Sequence, residues 1–265
     1  MTRRKSPRCV KPRNKGADPP ACFHLVPPVS KEGSLAEIEV YAVPTWLYRF
    51  RSLRRPGAPD IEGADPRKLE EELTAIEQQF LWCSNFEAMN DPMEGFYRLP
   101  AKRSSRDDER FDVMVWNEKS SLGIASFSET WNNELMWAHY ADGFRGLCVT
   151  FKVAPLLEGL GEGCGLTRVA YGDRPYYLNV RLRRESELRA RAALSTKTHR
   201  WAYEREWRVI ASQSGPAQYG EGVVATVMLG HRMAENDRTY IRGRLEEAGI
   251  TVKQTRIDGY SIKRA

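Results

Sequence analysis

The chain has 265 residues, 41% of them hydrophobic and 29% charged, which suits one large domain or two small ones with ample interior for a core. No apolar run reaches the roughly 18 residues of a membrane-spanning helix, and the five cysteines (Cys9, Cys22, Cys83, Cys148, Cys164) are scattered, with no C-x-x-C pair. The odd count and scattered spacing argue against a disulfide framework and a structural zinc site, while the net charge of +6 keeps contact with nucleic acid or another polyanion open.

The N-terminal segment holds Arg3, Arg4, Lys5, Arg8, Lys11, Arg13 and Lys15 with no acid among them. Residues 1–35 are rich in Pro and base, read as a poorly ordered tail, and lack a signal-peptide core. Together with the cysteine usage this predicts a cytoplasmic protein. Residues 36–265 are expected to form a single domain.

Extended segments open that domain at EIEVYAV and TWLYRFRS, followed by a Pro/Gly loop and then a helix with Leu69, Leu73 and Ile76 on one face. QFLWCS reads as a short strand closed by the turn-rich NFEAMNDPMEG. RFDVMVWNEKS fits helix and strand equally. LGIASFS is an apolar strand, and NNELMWAHYADG a short helix stopped by Gly143. GLCVTFKV and LTRVAYG are strands, and a long charged stretch with helical parts follows. EWRVIAS, GVVATVMLG, ITVKQTRI and YSIKR are further strands, with a helix before Gly249 between the second and third. Strands do not alternate regularly with helices, so the fold class is α+β, with mixed, mostly antiparallel sheets and flanking helices.

Four constellations carry candidate chemistry. In LYRFRS, strand alternation sets Tyr48 and Phe50 on one face and Arg49 and Arg51 on the other. Two such arginines can clamp a pyrophosphate, or simply form a solvated face. Asn90-Asp91-Pro92 is a turn signal, and Asp91 and Glu94 beside it are candidate site carboxylates. Ser126 and Ser128 share a strand face with Phe127 opposite, and paired hydroxyls at a strand end can hold a ribose or position a backbone turn. In the next helix Met136, Trp137 and Tyr140 read as a core stripe, and His139 as a structural hydrogen-bonder or a catalytic group. Glu204 and Glu206, at a strand start, are expected on one face about 7 Å apart. Like charges that close destabilise a plain surface strand but serve a site that accepts a proton or stabilises a cation; the plainer reading is a strand edge neutralised by Arg205, Arg208 and Lys197. No metal-ligand cluster stands out.

The segments LYRFRS, LWCSNFEAMNDPMEG, IASFSETWNNELMWAHYADGFRGLCVTF and KTHRWAYEREWRVI, in that order from Leu47 to about Ile210, resemble the domain of unknown function 2971 family, which implies no activity. An early-strand Arg, a Ser-x-Ser and a later Glu-x-Glu are also similar to ADP-ribosyltransferases of the arginine–serine–glutamate class. That resemblance implies an ADP-ribosyltransferase-like fold with NAD as substrate. It assigns Arg49 or Arg51 to the NAD phosphates and Ser126 and Ser128 to the Ser-x-Ser. Glu206 becomes the catalytic carboxylate and Glu204 the acceptor-side one. Phe127 stands where the class usually has Thr, and the Asn-Asp-Pro turn has no counterpart there.

Tyr48, Trp137 or Tyr140 is available to stack on nicotinamide, and Asn90, Asp91 and His139 complete the candidate cofactor-binding set. The expected function is an NAD-consuming transferase, a toxin or anti-phage defence effector in kind, acting on nucleic acid or protein. The alternatives are an NAD glycohydrolase on the same site, a non-catalytic nucleic-acid-binding module, and a metal-independent nuclease using Asp91, Glu94 and His139.

Overall fold

The structure, a computed structural model, describes residues 43–55, 63–99, 105–178 and 186–265. The expected basic tail, the domain start at residue 36 and most of EIEVYAV lie outside the described residues. In chain order the elements are β1 (Trp46–Arg51), α1 (Pro66–Glu77), β2 (Phe80–Cys83), β3 (Tyr97–Arg98), α2 (Ser105–Ser121), β4 (Gly123–Ser128), α3 (Glu134–Tyr140), β5 (Leu147–Lys152), α4 (Val153–Gly159), β6 (Gly165–Arg168), β7 (Ala170–Gly172), β8 (Tyr176–Tyr177), α5 (Ser186–Ala193), β9 (Thr196–Thr198), β10 (Glu206–Ala211), β11 (Gly215–Gln218), β12 (Val224–Leu229), α6 (Glu235–Glu247), β13 (Thr251–Asp258) and β14 (Ser261–Arg264).

The helices begin and end where local chemistry dictates. Asp65 caps α1 by accepting from the Arg67 and Lys68 amides, and Pro66 fills the first turn, where its missing N–H costs nothing. Leu69, Leu73 and Ile76 are then buried on one face. Asn133 caps α3 through the Leu135 and Met136 amides. Asp142, Gly143 and Phe144 all take positive φ, which breaks that helix and turns the chain into β5. RFDVMVWNEKS resolves as helix because its buried residues, Phe111 and Val115, are four apart while Val113, Met114 and Trp116 between and after them are exposed.

Eight strands form one sheet in the order β14-β13-β12-β5-β1-β4-β10-β6. Only β12 and β13 run parallel within it, so the sheet is mixed and mostly antiparallel, as expected of the α+β class. On one face Leu47, Val149, Phe151, Val209 and Val227 pack against Leu69 and Leu73 of α1 and Ile241 and Leu245 of α6. On the other, Phe50, Cys148 and Met228 pack under Met136 and Trp137 of α3. β2 does form at QFLWCS, but it pairs with β11 outside the main sheet. Among the described residues no helix is long and apolar enough to cross a membrane.

Trp137 is fully buried. Its ring meets Phe50 edge-on at 5.3 Å and stacks on Phe144 at 5.5 Å, and its Nε1 donates to the Trp131 carbonyl at 2.7 Å. Trp137→Ala is expected to cost about 3–5 kcal/mol, read by chemical denaturation. A loss under about 1 kcal/mol would remove Trp137 from the core. Just beyond it, Gly146 lets β5 approach β1: a Cβ there would lie 2.2 Å from the Arg51 carbonyl oxygen.

Candidate active site

The main sheet has one weak seam. β1 is bonded to β5 over six residue pairs and β10 to β4 over six, but β1 meets β4 only at Tyr48 and Ser128. Continuing that register would set Phe50 opposite Ser126 and Ser52 opposite Ile124. Instead the strands part, and Ser84, just past β2, exchanges both backbone hydrogen bonds with Ile124. A cleft of about 180 Å³ occupies the parting. Tyr48 and Arg49 of β1, Ser126 and Ser128 of β4, Tyr140 of α3, Lys197 of β9, and Glu204 and Glu206 all line it, with Asn90 at its edge.

The parting explains how Arg49, whose strand face is opposite to that of Tyr48, still reaches the cleft. Its Nη2 donates to the Trp82 carbonyl at 2.8 Å, and its guanidinium lies 5.9 Å from the Phe127 ring centre. It is 9% exposed, and no carboxylate pairs with it among the described residues. Burial, with the neighbouring Arg51 charge, pulls its pKa down to about 10, so it remains a cation at neutral pH. Arg51 differs: Nε bonds Glu72 Oε2 at 2.7 Å, and Nη2 closes a second, shorter bond to the same carboxylate. The structure thus separates two arginines that sequence left equivalent, because only one faces α1's Glu72.

The serines divide in the same way. Their hydroxyls share a face, with Phe127 on the opposite side in the core, as alternation requires. Ser128 Oγ is spent on structure, donating to the Glu204 carbonyl at 2.7 Å and accepting from the Thr130 amide at 3.2 Å. Ser126 Oγ is shut off from solvent and has no hydrogen-bond partner among the described residues. A buried hydroxyl left unsatisfied is uncommon and is spare capacity for a ligand.

Glu204 does not sit at a strand start. It ends a short 3-10 helix (His199–Glu204), and Arg205 follows in the left-handed region at φ 45°, ψ 52°. That reversal, not strand pleating, brings the Glu204 carboxylate beside that of Glu206, the first residue of β10. Both converge on one ammonium: Lys197 Nζ lies 2.7 Å from Glu204 Oε2 and 2.8 Å from Glu206 Oε2. Tyr140 donates its hydroxyl proton to Glu204 Oε1. Arg208 grips Glu206 with Nε at 2.7 Å and Nη2 at 3.1 Å, and holds Glu94 at 2.6 and 2.9 Å with its other face. The result is a buried chain, Tyr140–Glu204–Lys197–Glu206–Arg208–Glu94.

The two carboxylates titrate apart. Burial pushes Glu204 up, opposed by Lys197 and reinforced by Glu206. Burial also pushes Glu206 up, but Arg208 and Lys197 outweigh it and hold the carboxyl at about 2. Glu72 is held at about 2 in the same way, against its burial, by Arg51 and Lys68. A carboxyl whose folded pKa lies below its unfolded one adds stability above the unfolded value and loses it as pH falls through the folded one. The thermal midpoint is therefore expected to fall as pH drops from about 4.5 to 2. Glu204 has the opposite sign, its contribution being lost as pH rises through its raised value. A midpoint that stays level down to pH 2 would break the assignment of Glu72 and Glu206.

The remaining expectations are corrected or refined as follows. Asp91 is buried but lines no cleft; its Oδ1 accepts from the Met93 amide at 2.9 Å, which is the turn that Asn-Asp-Pro predicts. Asn90 is exposed at the cleft edge. Glu94 belongs to the buried chain through Arg208 rather than to the cleft wall. His139 is exposed on the outer side of α3, its ring 6.2 Å from Tyr203 and 6.5 Å from Tyr140, and does not line the cleft. Helical rotation carries it away from the face that Met136 and Tyr140 present. The nuclease set Asp91, Glu94 and His139 is therefore not assembled. Sequence reading offered Lys197 and Arg208, with Arg205, as cations neutralising the glutamate pair rather than as site residues, and the structure places Lys197 and Arg208 on it. Arg208 was legible, two residues beyond Glu206 and so on the same strand face. For Lys197 the charge was legible but its burial was not, since that comes from the 3-10 turn folding over it. Among the described residues no three His, Cys, Asp or Glu side chains gather as a metal site.

No curated protein and no solved structure matches the chain, so no structural link to the ADP-ribosyltransferase fold is established. Residues 136–209, which carry Tyr140, Lys197, Glu204, Glu206 and Arg208 but neither β1 nor β4, match the model of a family described as protein of unknown function, DUF2971.

Proposed function

We propose that the protein cleaves NAD at the nicotinamide glycosidic bond and transfers ADP-ribose to an acceptor. One observation carries this reading. One cleft gathers a buried cation (Arg49) and a buried hydroxyl (Ser126) that, among the described residues, have no carboxylate and no hydrogen-bond partner respectively, together with a carboxylate pair (Glu204, Glu206). Arg49 suits a pyrophosphate, since charge-assisted bonds to phosphate offset the cost of its burial. Ser126 suits a ribose hydroxyl. When the glycosidic bond breaks, nicotinamide leaves with the bonding electron pair and positive charge builds at the ribose carbon. Glu206, held ionised by Arg208 and Lys197, supplies fixed negative charge to stabilise it. The acceptor then attacks that carbon and yields its proton to a base. Glu204 suits this role because burial raises its affinity for a proton.

The test is release of free nicotinamide from NAD by the purified full chain, alone and with nucleic acid or protein as acceptor. Release coupled to label on an acceptor supports transfer. Release with water alone reduces the function to NAD hydrolysis. No release under any condition removes the reading and leaves a binding module. Arg49→Met sharpens the test. The variant is expected to be close to wild type in stability without ligand, because removing a buried charge that no carboxylate pairs among the described residues offsets the lost bond to the Trp82 carbonyl. Its NAD affinity is expected to fall roughly 10–100-fold, the scale of a hydrogen bond to a charged group. Calorimetry with NAD reads both; unchanged affinity would free Arg49 from the pyrophosphate role.

A further inference from the structure

We propose that Lys197 is a positioning residue of this cleft, whose ammonium holds Glu204 and Glu206 together and sets the pH at which the pair becomes fully ionised. The inference rests on the proposed NAD reaction for its meaning, but not for its geometry. Lys197 Nζ is within 2.8 Å of an oxygen of each carboxylate, and its side chain is 5% exposed. It reaches them from β9, a three-residue strand that pairs with β7 rather than with the main sheet. The Trp201 ring covers it at 5.3 Å. A flexible ammonium on a separate strand bridges two carboxylates that the main sheet and the 3-10 turn deliver from different directions.

The groups around it make the bridge necessary. From β10, Glu206 and the cationic Arg208 face Lys197, with Glu94 beyond Arg208. From the 3-10 turn come Glu204, the Trp201 ring and the nearby Tyr203 hydroxyl. From α3, Tyr140 donates to Glu204, and from β7 the Tyr171 oxygen accepts the Glu206 amide at 2.8 Å. Arg208 is committed to Glu206 and Glu94, so Glu204 has Lys197 as its cationic partner among the described residues. Without that cation, two buried carboxylates facing one cleft cannot both ionise near neutrality, and one retains a proton. An opposite charge at this distance lowers a carboxyl pKa by about 1–3 units, so its loss raises the titration of the pair by the same amount.

The experiment compares wild type, Lys197→Met and Lys197→Arg as full chains. Glutamate side-chain carboxyl carbons are followed by NMR across pH, and nicotinamide release is measured over the same range. In Lys197→Met one glutamate is expected to titrate about 1–3 pH units higher, with the acid limb of the release profile moving by the same amount. Lys197→Arg, which keeps the charge, is expected to return both toward wild type. A merely structural lysine would lower the midpoint of unfolding without moving either titration. Glutamate titrations that coincide in wild type and Lys197→Met overturn the proposal, as does Lys197→Arg behaving like Lys197→Met. If Lys197→Met does not fold, Lys197→Gln carries the same comparison, since it keeps a donor without the charge. A shifted glutamate titration in a protein that releases no nicotinamide upholds the role of Lys197 and rejects the NAD reading instead.

Discussion

Glu206→Gln is expected to release nicotinamide from NAD about 10²–10³-fold more slowly than wild type, the scale of losing one preorganised electrostatic group. The substitution keeps size and hydrogen-bonding capacity and removes only the charge. Arg208 retains its paired bonds to Glu94 and its bond to the Leu194 carbonyl, and Lys197 retains Glu204. Some stability is lost with a charged hydrogen-bond partner, on the order of 1–3 kcal/mol, so rates are to be compared well below the melting point of the variant. NAD affinity is expected to change little, because in the proposed reaction the pyrophosphate is held by Arg49 and not by Glu206. Glu204→Gln provides the contrast: transfer to an acceptor falls while hydrolysis partly survives, since the bond-breaking step does not need the acceptor-side base. Nicotinamide release at the wild-type rate by Glu206→Gln would remove its catalytic role. The Arg49 and Ser126 side of the cleft would then have to explain any turnover.

Arg208→Leu is expected to yield little folded protein. Arg208 is wholly buried and satisfies two carboxylates at once, Glu206 on its own strand and Glu94 from the turn after Asp91-Pro92. Breaking one buried pair from one side costs about 3–5 kcal/mol, because a charge remains without a partner. Here Glu94 is stranded and Glu206 keeps Lys197 alone, a loss that reaches the lower end of the whole stability of a typical domain, about 5–15 kcal/mol. The compensated triple change Glu94→Leu, Glu206→Leu, Arg208→Leu is expected to recover much of that loss, since no stranded charge is left. Both are read by denaturant unfolding and circular dichroism. A stable, soluble Arg208→Leu would show that water reaches the two carboxylates and that the chain from Tyr140 to Glu94 is not truly buried.

Sequence alone determined many of the elements and their faces. Leu69, Leu73 and Ile76 lie four and three apart and are buried together on α1. Tyr48 and Phe50 oppose Arg49 and Arg51 across β1, and Ser126 and Ser128 oppose Phe127 across β4. Asp65, Asn133 and Gly249 mark helix boundaries where their chemistry says they should. These features come from contacts within a few residues, so periodicity and capping encode them locally. RFDVMVWNEKS was ambiguous in sequence because its apolar residues fit both periods, and packing of Phe111 and Val115 chose the helix.

What only the tertiary structure decided is the site. Whether Arg49 or Arg51 stays unpaired depends on Glu72, which α1 delivers to Arg51 from 21 residues away. Whether the two glutamates act as a pair depends on the left-handed Arg205 and on Lys197, brought in on a strand outside the main sheet. The cleft exists because β1 and β4 hold hands at one residue pair and Ser84 takes the next place along β4. Each of these is an electrostatic or pairing choice between segments distant in sequence. No local pattern records it, since a charged side chain has the same propensities whether its partner arrives or not.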